Sequence, residues 1–384
     1  MDLVRRPSHA LFAVVIAAGC IPWLGTDPGA PDPFVGCNKA RMKCEGMPHL
    51  MPGLPAMTQI FAGWRGQTCG LTADGTGWCW LGGATGRDAA AIPGGYQFVS
   101  VGGGDFHTCA LKADGRAYCW GESGALLCGP SACSATPVIV GTRSYRALTV
   151  GKQHTCALDQ SGAAFCWGLN WMGATGNLSN DGHAFEQDPI RVSGGLQFTT
   201  ISAGYQFTCA LTVDGALYCW GYADAGQLAS GDVLVCAIGF ATNYCSAQPL
   251  AGKTSLRLAG VAAGMQHACA LTDQQRAICW GDNGQGQLGI GGFGGTYLPS
   301  PMTDARAWSQ IVASGATCGI AVAGGAYCWG SNAWGLLGTG AATYSSTAPQ
   351  LVAGAQTFRA LSGKSTHTCG LTAGGAVYCW GLSD

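Results

Sequence analysis

The most constraining feature of this 384-residue sequence is a pair of cysteines that recurs seven times with the same internal spacing. Nine residues separate the two cysteines of each pair, and tryptophan always follows the second one. The pairs are Cys69/Cys79, Cys109/Cys119, Cys156/Cys166, Cys209/Cys219, Cys269/Cys279, Cys318/Cys328 and Cys369/Cys379. A supersecondary unit of about 50 residues is therefore repeated, and insertions of different length separate the copies.

Each cysteine pair lies on a predicted β-hairpin. In the second unit, an Ala-Asp-Gly turn at 113–115 separates two apolar runs, and a three-residue loop of this kind places glycine in the left-handed region. Cys109 then lies opposite Cys119, at a separation that a disulfide spans. A further strand, such as 198–203, precedes each hairpin, and a proline-led strand, such as 189–192, follows it. The pattern predicts four strands per unit.

Four-stranded units in radial repetition form a β-propeller. We therefore predict an all-β fold with seven blades. No proline-led strand follows the seventh hairpin, whereas Pro48 precedes the first hairpin at the usual distance. We expect residues 47–51 to complete the last blade and to close the ring.

The repeated pattern A-G-x-x-H-T-C-A-L-T-x-D-G-x-x-Y-C-W-G, continued in the fifth unit by DNGQGQLGIG at 282–291, resembles the regulator of chromosome condensation (RCC1) family of seven-bladed propellers. The resemblance covers residues 46–384. The paired cysteines, the export signal and the absence of a basic tail set the chain apart from the nuclear members, so nucleotide-exchange and chromatin activities are not expected. The chain looks closer to secreted bacterial members of the lipoprotein type.

The N-terminus has the features of an export signal. Arg5 and Arg6 precede an apolar run at 11–18, which is too short to span a bilayer and suits a secretory signal. Small residues then precede Cys20, as in bacterial lipoproteins, so we expect a signal at 1–20 with Cys20 acylated. An ordinary cleaved signal is the alternative. Residues 21–36 contain four prolines and are predicted to be a tether, and the propeller is predicted at 37–384.

The total of 21 cysteines favours an oxidising compartment or metal binding. Seven cysteines lie outside the hairpin pairs. Six of them form the local pairs Cys37/Cys44, Cys128/Cys133 and Cys236/Cys245. Ten disulfides and one lipid-linked residue, Cys20, therefore account for all 21. Zinc is the alternative, but structural zinc sites use cysteines two to four residues apart, so no metal is predicted.

The sequence contains no motif that identifies a catalytic or cofactor site. G-x-S-x-G, H-E-x-x-H and Walker loops are absent, and the G-x-G-x-x-G match at 284–289 belongs to the repeat's own turn. We therefore predict no catalytic residue and no cofactor. The formal charge of −1, with 10% charged residues, lacks the basic surface that nucleic-acid binding requires. Nucleic acid is accordingly not expected as a partner.

Two repeated positions are assigned structural roles. Histidine precedes the first cysteine by two residues in four units, at His107, His154, His267 and His367. A position repeated in this way favours a structural hydrogen bond over catalysis. The tryptophans after the second cysteines are predicted to pack between blades, although exposed tryptophans would also suit sugar binding.

The loops between the third and fourth strands differ most among the units, and all of them should emerge on one face. The longest runs over 222–248. Exposed aromatic residues on such loops are typical anchors for a binding partner. The candidate binding residues are Trp171, His183, Phe185, Tyr222, Phe240, Asn243, Tyr244, Phe293, Tyr297, Trp334 and Tyr344. The alternative is that these side chains pack beneath their own loops.

The sequence thus favours a non-catalytic, lipid-anchored interaction module of the bacterial cell envelope that binds a protein partner through one propeller face. The alternative is a glycan- or peptidoglycan-acting enzyme, or a carbohydrate-binding propeller, with a site built from several loops. A porin-like barrel is set aside, because such barrels are not built from cysteine-paired hairpins in 50-residue units.

Overall fold

The structure, a computed structural model, describes residues 43–64, 66–81, 87–122, 134–170, 172–177, 185–231, 236–238 and 241–383. These residues belong to one compact unit that spans 37–384. Antiparallel β-strands dominate it, and the one helical element in the described part is a short 3-10 turn, Ala333–Gly335. The predicted all-β class is confirmed.

Seven four-stranded sets carry the seven cysteine hairpins, and we number them as units one to seven in the order of the cysteine pairs. Unit one contains β2 (Gln59–Ala62), β3 (Thr68–Leu71), β4 (Gly77–Leu81) and β5 (Arg87–Ala91). Unit two contains β6 (Ser100–Gly103), β7 (His107–Leu111), β8 (Arg116–Gly121) and the first half of β9 (Val138–Val150). Unit three contains the second half of β9, β10 (His154–Asp159), β11 (Ala164–Leu169) and β12 (Phe185–Arg191).

The remaining units follow the same order. Unit four contains β13 (Phe198–Ala203), β14 (Phe207–Thr212), β15 (Leu217–Tyr222) and β18 (Cys245–Ala251), with β16 (Cys236–Ile238) and β17 (Ala241–Asn243) as an extra hairpin. Unit five contains β19 (Leu258–Ala263), β20 (His267–Thr272), β21 (Ala277–Gly281) and β22 (Thr296–Pro301). Unit six contains β23 (Trp308–Ala313), β24 (Ala316–Ala321), β25 (Ala326–Ser331) and β26 (Ser345–Leu351). Unit seven contains β27 (Phe358–Lys364), β28 (His367–Thr372), β29 (Val377–Ser383) and β1 (Lys43–Leu50).

Two elements differ from the sequence prediction. Strand β9 is continuous over 13 residues, so units two and three share one seven-stranded sheet instead of forming two separate sheets. The segment between the two expected strands stays extended because Ser144 pairs with Arg116 in the preceding unit. The hairpin β16–β17 in the longest loop was not anticipated.

The predicted hairpin register is confirmed in all seven units. Each first cysteine lies directly opposite the second, and the Cα atoms of the two are 4.0 to 4.1 Å apart. All seven predicted hairpin disulfides are formed: Cys69–Cys79, Cys109–Cys119, Cys156–Cys166, Cys209–Cys219, Cys269–Cys279, Cys318–Cys328 and Cys369–Cys379.

The other cysteines are described only in part. Cys245 is disulfide-bonded. Cys20, Cys37, Cys128 and Cys133, and the side chains of Cys44 and Cys236, lie outside the described residues.

The pairing of the third strand with the fourth departs from the regular four-stranded unit that the sequence predicts. In unit four, Cys219 lies opposite Leu250 but Gly221 lies opposite Ser246, so two steps along β15 correspond to four along β18. The register shifts directly after the second hairpin cysteine in six units, at Cys79, Cys166, Cys219, Cys279, Cys328 and Cys379. The second cysteine is thus the last regularly paired residue before an irregularity, whereas its pairing with the first cysteine is undisturbed.

Proline in the fourth strand explains this irregularity in units three to seven. A proline has no amide hydrogen to donate, so it interrupts the hydrogen bonds between two strands. In these units one residue of the fourth strand faces the second cysteine, and the residue just before it is a proline. These prolines are Pro189, Pro249, Pro299, Pro349 and Pro48. The prediction that proline begins the fourth strand is therefore wrong in detail. In unit three, for example, β12 begins at Phe185 and Pro189 lies within it.

The N-terminal strand pairs with the last hairpin, as predicted from the position of Pro48. Strand β1 runs antiparallel to β29, with His49 opposite Cys379 and Leu50 opposite Tyr378. The strand begins earlier than expected, at Lys43, and an irregularity between Glu45 and His49 interrupts its register. One unit is therefore built from both ends of the described chain.

The core consists of seven apolar clusters, each built from two consecutive units. The tryptophan after the second cysteine lies in every cluster beside residues of the preceding unit, as Trp220 does beside Cys156 and Leu158. Trp80 of unit one contacts Cys369 and Cys379 of unit seven in the same way. All seven tryptophans are buried. Their predicted role in packing between units is confirmed, and sugar stacking on them is excluded by their burial.

Candidate functional site

The antiparallel register places all the long loops at one end of the strands. In unit five, His267 at the start of β20 pairs with Gly281 at the end of β21, where the long loop begins. The turn between β19 and β20 lies at this same end. We call this end the loop face. The opposite end carries the tight hairpin turns, such as 272–276, and we call it the turn face.

Seven of the eleven candidate binding residues have described side chains. Phe293 is 58% exposed, Tyr344 56%, Tyr244 47%, Tyr297 41%, Trp334 38% and Phe185 36%, and Tyr222 is partly exposed. Trp171, His183, Phe240 and the side chain of Asn243 lie outside the described residues. The described candidates are therefore surface residues, not residues packed beneath their loops.

The candidates of units four and five are held together by contacts between the loops. The Tyr222 hydroxyl donates to the Asp224 carboxylate at 2.5 Å, and the Tyr297 hydroxyl donates to the Asp224 carbonyl at 3.3 Å. The Tyr244 carbonyl accepts the amide of Ala223 at 2.8 Å. These three tyrosines thus form one patch, which we call the tyrosine patch.

Trp334 and Tyr344 form a second group, on the loop of unit six. Trp334 has a left-handed backbone conformation, with φ of 59°, which is unfavourable for a tryptophan. The Tyr344 carbonyl accepts the amide of Asn332 at 2.7 Å, and the Asn332 side chain bonds two further carbonyls of the same loop. The side chain of Asn332 therefore fixes the loop that presents both aromatic rings.

A group of side chains was missed at the sequence level. These side chains lie near the first strands of the units, which we call the inner strands. The first strands of neighbouring units contact one another, and the first strand of unit seven contacts that of unit one. The turns that follow these strands carry different side chains in each unit, including Trp64, Asp105, Lys152, Tyr205 and Met265. The sequence does contain a signal for this group: the residues of these turns differ from unit to unit, although the His-Thr-Cys segment that follows them is strongly repeated.

These turn residues contact one another across unit boundaries. The Lys152 ammonium donates to the Tyr205 hydroxyl at 2.8 Å and lies 3.5 Å from the Asp105 carboxylate. The ring of Tyr205 meets that of Trp64 edge-on, with centroids 5.7 Å apart. This axial cluster joins units one to four on the loop face.

Lys364 extends from unit seven to the inner strands of units four and five. Its ammonium donates to the carbonyls of Ala203, at 2.6 Å, and Ala263, at 3.2 Å. It also lies 5.6 Å from the ring centroid of Trp64. Burial lowers the pKa of Lys364 to about 8. The lysine connects strands that lie far apart in the sequence.

The repeated histidines form hydrogen bonds between units, as predicted. The Nε2 atom of each histidine forms a hydrogen bond of 2.7 to 2.9 Å with the hydroxyl of a threonine in the next unit. This threonine directly precedes the first cysteine of that unit. Burial lowers the pKa of His107 and His154 to about 3, and that of His267 and His367 to about 4. In unit four, Phe207 occupies this position. The four imidazoles are therefore neutral structural groups.

The remaining sequence motifs have structural roles in the described residues. The glycines at 284–289 belong to a loop that crosses to the next unit, where Gly286 lies against Thr347, and no helix follows them. The fourteen hairpin cysteines are disulfide-bonded, which leaves no thiolate among them for zinc. No cluster of three or more metal-ligating residues occurs within the described ranges. None of the helices there is long and apolar enough to cross a membrane.

Comparison with known proteins agrees with the repeat architecture. Five segments match the model of the regulator of chromosome condensation (RCC1) repeat, at residues 98–125, 145–173, 198–227, 259–287 and 358–384. The sequence is similar to the RCC1 domain-containing protein RUG3, mitochondrial, of Arabidopsis thaliana, with 31% identity over 128 residues. These residues are 33% of this chain and 27% of the relative, so the chain spans about a quarter of that relative's length.

The fold is similar to that of Prp20p from Saccharomyces cerevisiae, with a TM-score of 0.67 and 22% identity over 85% of this chain and 82% of that one. The structure of Kap60 bound to the same yeast protein gives a TM-score of 0.69 and 21% identity, covering 85% of this chain and 80% of that one. At these identities the likeness concerns the fold. The chain thus carries RCC1 repeats and has the fold of the RCC1 β-propellers.

Proposed function

We propose that the seven units form one ring of seven blades, and that this propeller is a non-catalytic module that binds a protein partner through its loop face. The ring is supported by the contacts between units seven and one. The amide of Ala62 donates to the Ser362 hydroxyl at 2.8 Å, and His367 bonds Thr68 at 2.7 Å. Strand β1 supplies the fourth strand of unit seven.

The observation that carries the binding proposal is the set of exposed aromatic rings on the loop face of units four to six. Phe293, Tyr244 and Tyr297 are each more than 40% exposed, although their loops are fixed by hydrogen bonds within and between units. Aromatic side chains on a rigid support are the usual anchors of protein interfaces, because they bury large areas at a small entropic cost.

The comparisons support this kind of function. RCC1-like repeat proteins take part in protein interactions and regulation, and the yeast protein with a similar fold has been captured with Kap60 bound. The matched segments do not identify a partner for this chain. The loops, which differ most among the repeats, are the part of the surface that would determine the partner.

We further propose that the protein is exported and held in the bacterial cell envelope by a lipid on Cys20. The seven disulfides indicate an oxidising, extracellular environment. The sequence before Cys20 supplies the rest of the argument. Mass spectrometry of the mature protein and of Cys20→Ser tests it: we expect an acylated N-terminus and membrane association, both lost in the variant. An unchanged membrane fraction for Cys20→Ser contradicts the anchor.

The binding face is tested by cross-linking in intact envelopes, identification of the captured partner, and titration with purified components. The test variant is Phe293→Ser with Tyr244→Ser. The control is Val213→Ser with Val322→Ser, which removes two apolar side chains of 78% and 51% exposure from the turn face. We expect the test variant to weaken binding by at least about tenfold and the control to leave it unchanged.

Both variants must retain the melting temperature of the unmodified protein, because the substitutions lie at exposed positions. Equal binding by the test variant, or loss of binding in the control alone, contradicts the proposal that the loop face is the binding surface.

A further inference from the structure

A second candidate site lies on the turn face, away from the proposed protein-binding surface. A cavity of about 450 Å³ opens there between units five and six. This volume lies in the range of small-molecule sites, which are about 300 to 1,000 Å³. The walls are provided by Val261, Leu271 and Ile311, with the buried ring of Trp308 behind them. The cavity therefore has an aliphatic wall, and polar side chains such as Thr200, Ser309 and Gln310 line the rest of it.

The cavity exists because unit five departs from the repeat at an inner-strand position. In each unit, one inner-strand residue pairs with the leucine or isoleucine that follows the first cysteine by two residues. These inner-strand residues are Gln59, Ser100, Ala147, Thr200, Gly260, Gln310 and Ala360. Only Gly260 has no side chain, and a Cβ atom placed there would meet no atom within 4 Å. Its partner Leu271 is partly exposed, whereas the equivalent Leu211 is 1% exposed.

Unit five also departs from the repeat at its hairpin turn. The turn residue with a left-handed backbone is glycine in the other six units but Gln275, with φ of 60°, in this one. The first turn position is alanine, valine or glutamine elsewhere but Asp273 here. Both departures line the cavity. Three departures from the repeat, Gly260, Asp273 and Gln275, thus converge on one opening.

The carboxylate at the opening differs from those of the other turns. Asp74 and Asp114 stand one position later in their turns and accept the amide two residues on, at 3.1 and 3.0 Å. The Asp273 carboxylate forms no hydrogen bond or ion pair with any described residue. It is also the one charged side chain among the residues that line the cavity.

Neither Arg276 nor Arg257, whose carbonyl accepts the amide of Asp273 at 3.1 Å, forms an ion pair with Asp273. The guanidinium of Arg276 donates to the carbonyl of Ala305. The side chain of Arg257 lies against Gly215 in the turn of unit four. The cavity therefore combines an aliphatic wall with an unpaired negative charge at its rim.

We propose that this cavity binds an aliphatic ammonium ion, with the alkyl chain among Val261, Leu271 and Ile311 and the ammonium group at Asp273 and the Gln275 amide oxygen. A free amine and the lysine side chain of a peptide offer the same chemistry. An anion is disfavoured because it would face the carboxylate without a cation in the lining.

Ligand-observed NMR titration of the full chain tests the site with n-pentylammonium, pentan-1-ol and pentanoate, which each contain five carbons in a linear chain and differ in charge. We expect the ammonium to bind about fivefold more tightly than the alcohol, the gain of one partly exposed ion pair, and pentanoate not to bind. Nα-acetyl-lysine N-methylamide separates the two sources: its binding shows that a peptide lysine enters, and binding of pentylammonium alone shows a small-amine site.

Two variants examine the two parts of the site. Asp273→Asn should remove the preference for ammonium over alcohol while both still bind. Gly260→Gln, which introduces the side chain that units one and six have at this position, should fill the cavity and abolish binding of both. The control Ser100→Gln places the same side chain at the equivalent position of unit two and should leave binding intact.

The inference is overturned if none of the probes binds, if pentanoate binds as tightly as pentylammonium, or if Gly260→Gln binds pentylammonium as the unmodified protein does. Asp273 is exposed and its side chain has no partner among the described residues, so Asp273→Asn is expected to fold and remains decisive even if Gly260→Gln does not. Because this site lies on the turn face, its failure is independent of the loop-face proposal.

Discussion

At the scale of single residues, the repeated histidines show how a titratable group becomes a structural one. His107, His154, His267 and His367 are almost completely buried, and each bonds a threonine hydroxyl of the next unit. Burial disfavours the charged imidazolium, which lowers the pKa of each ring. The neutral form is therefore part of the folded state.

This predicts that acid destabilises the protein. The pKa in the folded state, about 3 to 4, lies below the value of about 6.5 in the unfolded chain. The stabilisation is thus complete above pH 6.5 and is lost as the pH falls toward 4, because the unfolded chain then binds more protons. Each histidine contributes up to about 1.4 kcal/mol per pH unit. Urea unfolding between pH 7.5 and 4.5 measures this slope.

The variant His154→Gln tests whether the histidines cause this pH dependence. Unit one has glutamine at the equivalent position, where the Gln67 side-chain oxygen accepts a hydrogen bond from the Thr108 hydroxyl at 3.0 Å. The variant should remove the contribution of one histidine to the pH dependence while keeping a hydrogen bond to Thr208. A variant with the slope of the unmodified protein would show that burial of His154 does not determine the acid sensitivity.

At the scale of the element, the cysteine hairpin is the unit that the chain repeats. Both cysteines of unit three are fully buried, and the bond lies between the packed faces of adjacent units. The disulfide closes a loop of about 11 residues, which in the chain-entropy model stabilises the folded state by up to about 3 kcal/mol. The seven bonds therefore compensate for the glycine-rich composition, which has a high conformational entropy when unfolded.

The variant Cys156→Ala with Cys166→Ala is expected to lower the free energy of unfolding by about 3 kcal/mol. Urea unfolding measures the change, and thiol titration of the denatured, unreduced protein should detect no free thiol from the hairpin pairs. An unchanged unfolding midpoint, or free thiols that map to hairpin cysteines of the unmodified protein, contradicts the proposed bracing role.

The hairpins were predictable because all their determinants lie within 15 residues of sequence: the spacing, the turn and the alternating apolar residues. Features that depend on a distant segment were not. Strand β9 stays continuous because Ser144 pairs with the preceding unit. The register shift after the second cysteine, as at Cys219, depends on where the fourth strand meets the hairpin after a loop of variable length. Lys152 and Tyr205 are separated by about 50 residues in sequence and meet only when the units assemble. The cavity beside Gly260 reflects a missing side chain, whose effect depends on what surrounds it.

At the scale of the whole molecule, the contact between the two ends of the chain decides whether the seven units act as one. Unit seven needs β1 to pair the edge of β29. The Arg359 guanidinium of unit seven donates to the Thr58 carbonyl of unit one at 2.6 Å. Met51, which follows β1, is 4% exposed and lies in the cluster that joins the two units. Loss of β1 would expose a strand edge and open this cluster at the same time.

Deletion of residues 43–52 is therefore expected to cause a large loss of thermal stability. The less disruptive change Met51→Ala should lower the free energy of unfolding by about 3 kcal/mol, as is usual for truncating a buried methionine. Deletion of 21–36, the predicted tether, is the control and should leave the melting temperature of the propeller unchanged. Calorimetric melting curves of the three variants compare these outcomes. If the curve without β1 coincides with that of the unmodified protein, the N-terminal strand does not hold the proposed ring together, and the other contacts between units one and seven would have to suffice.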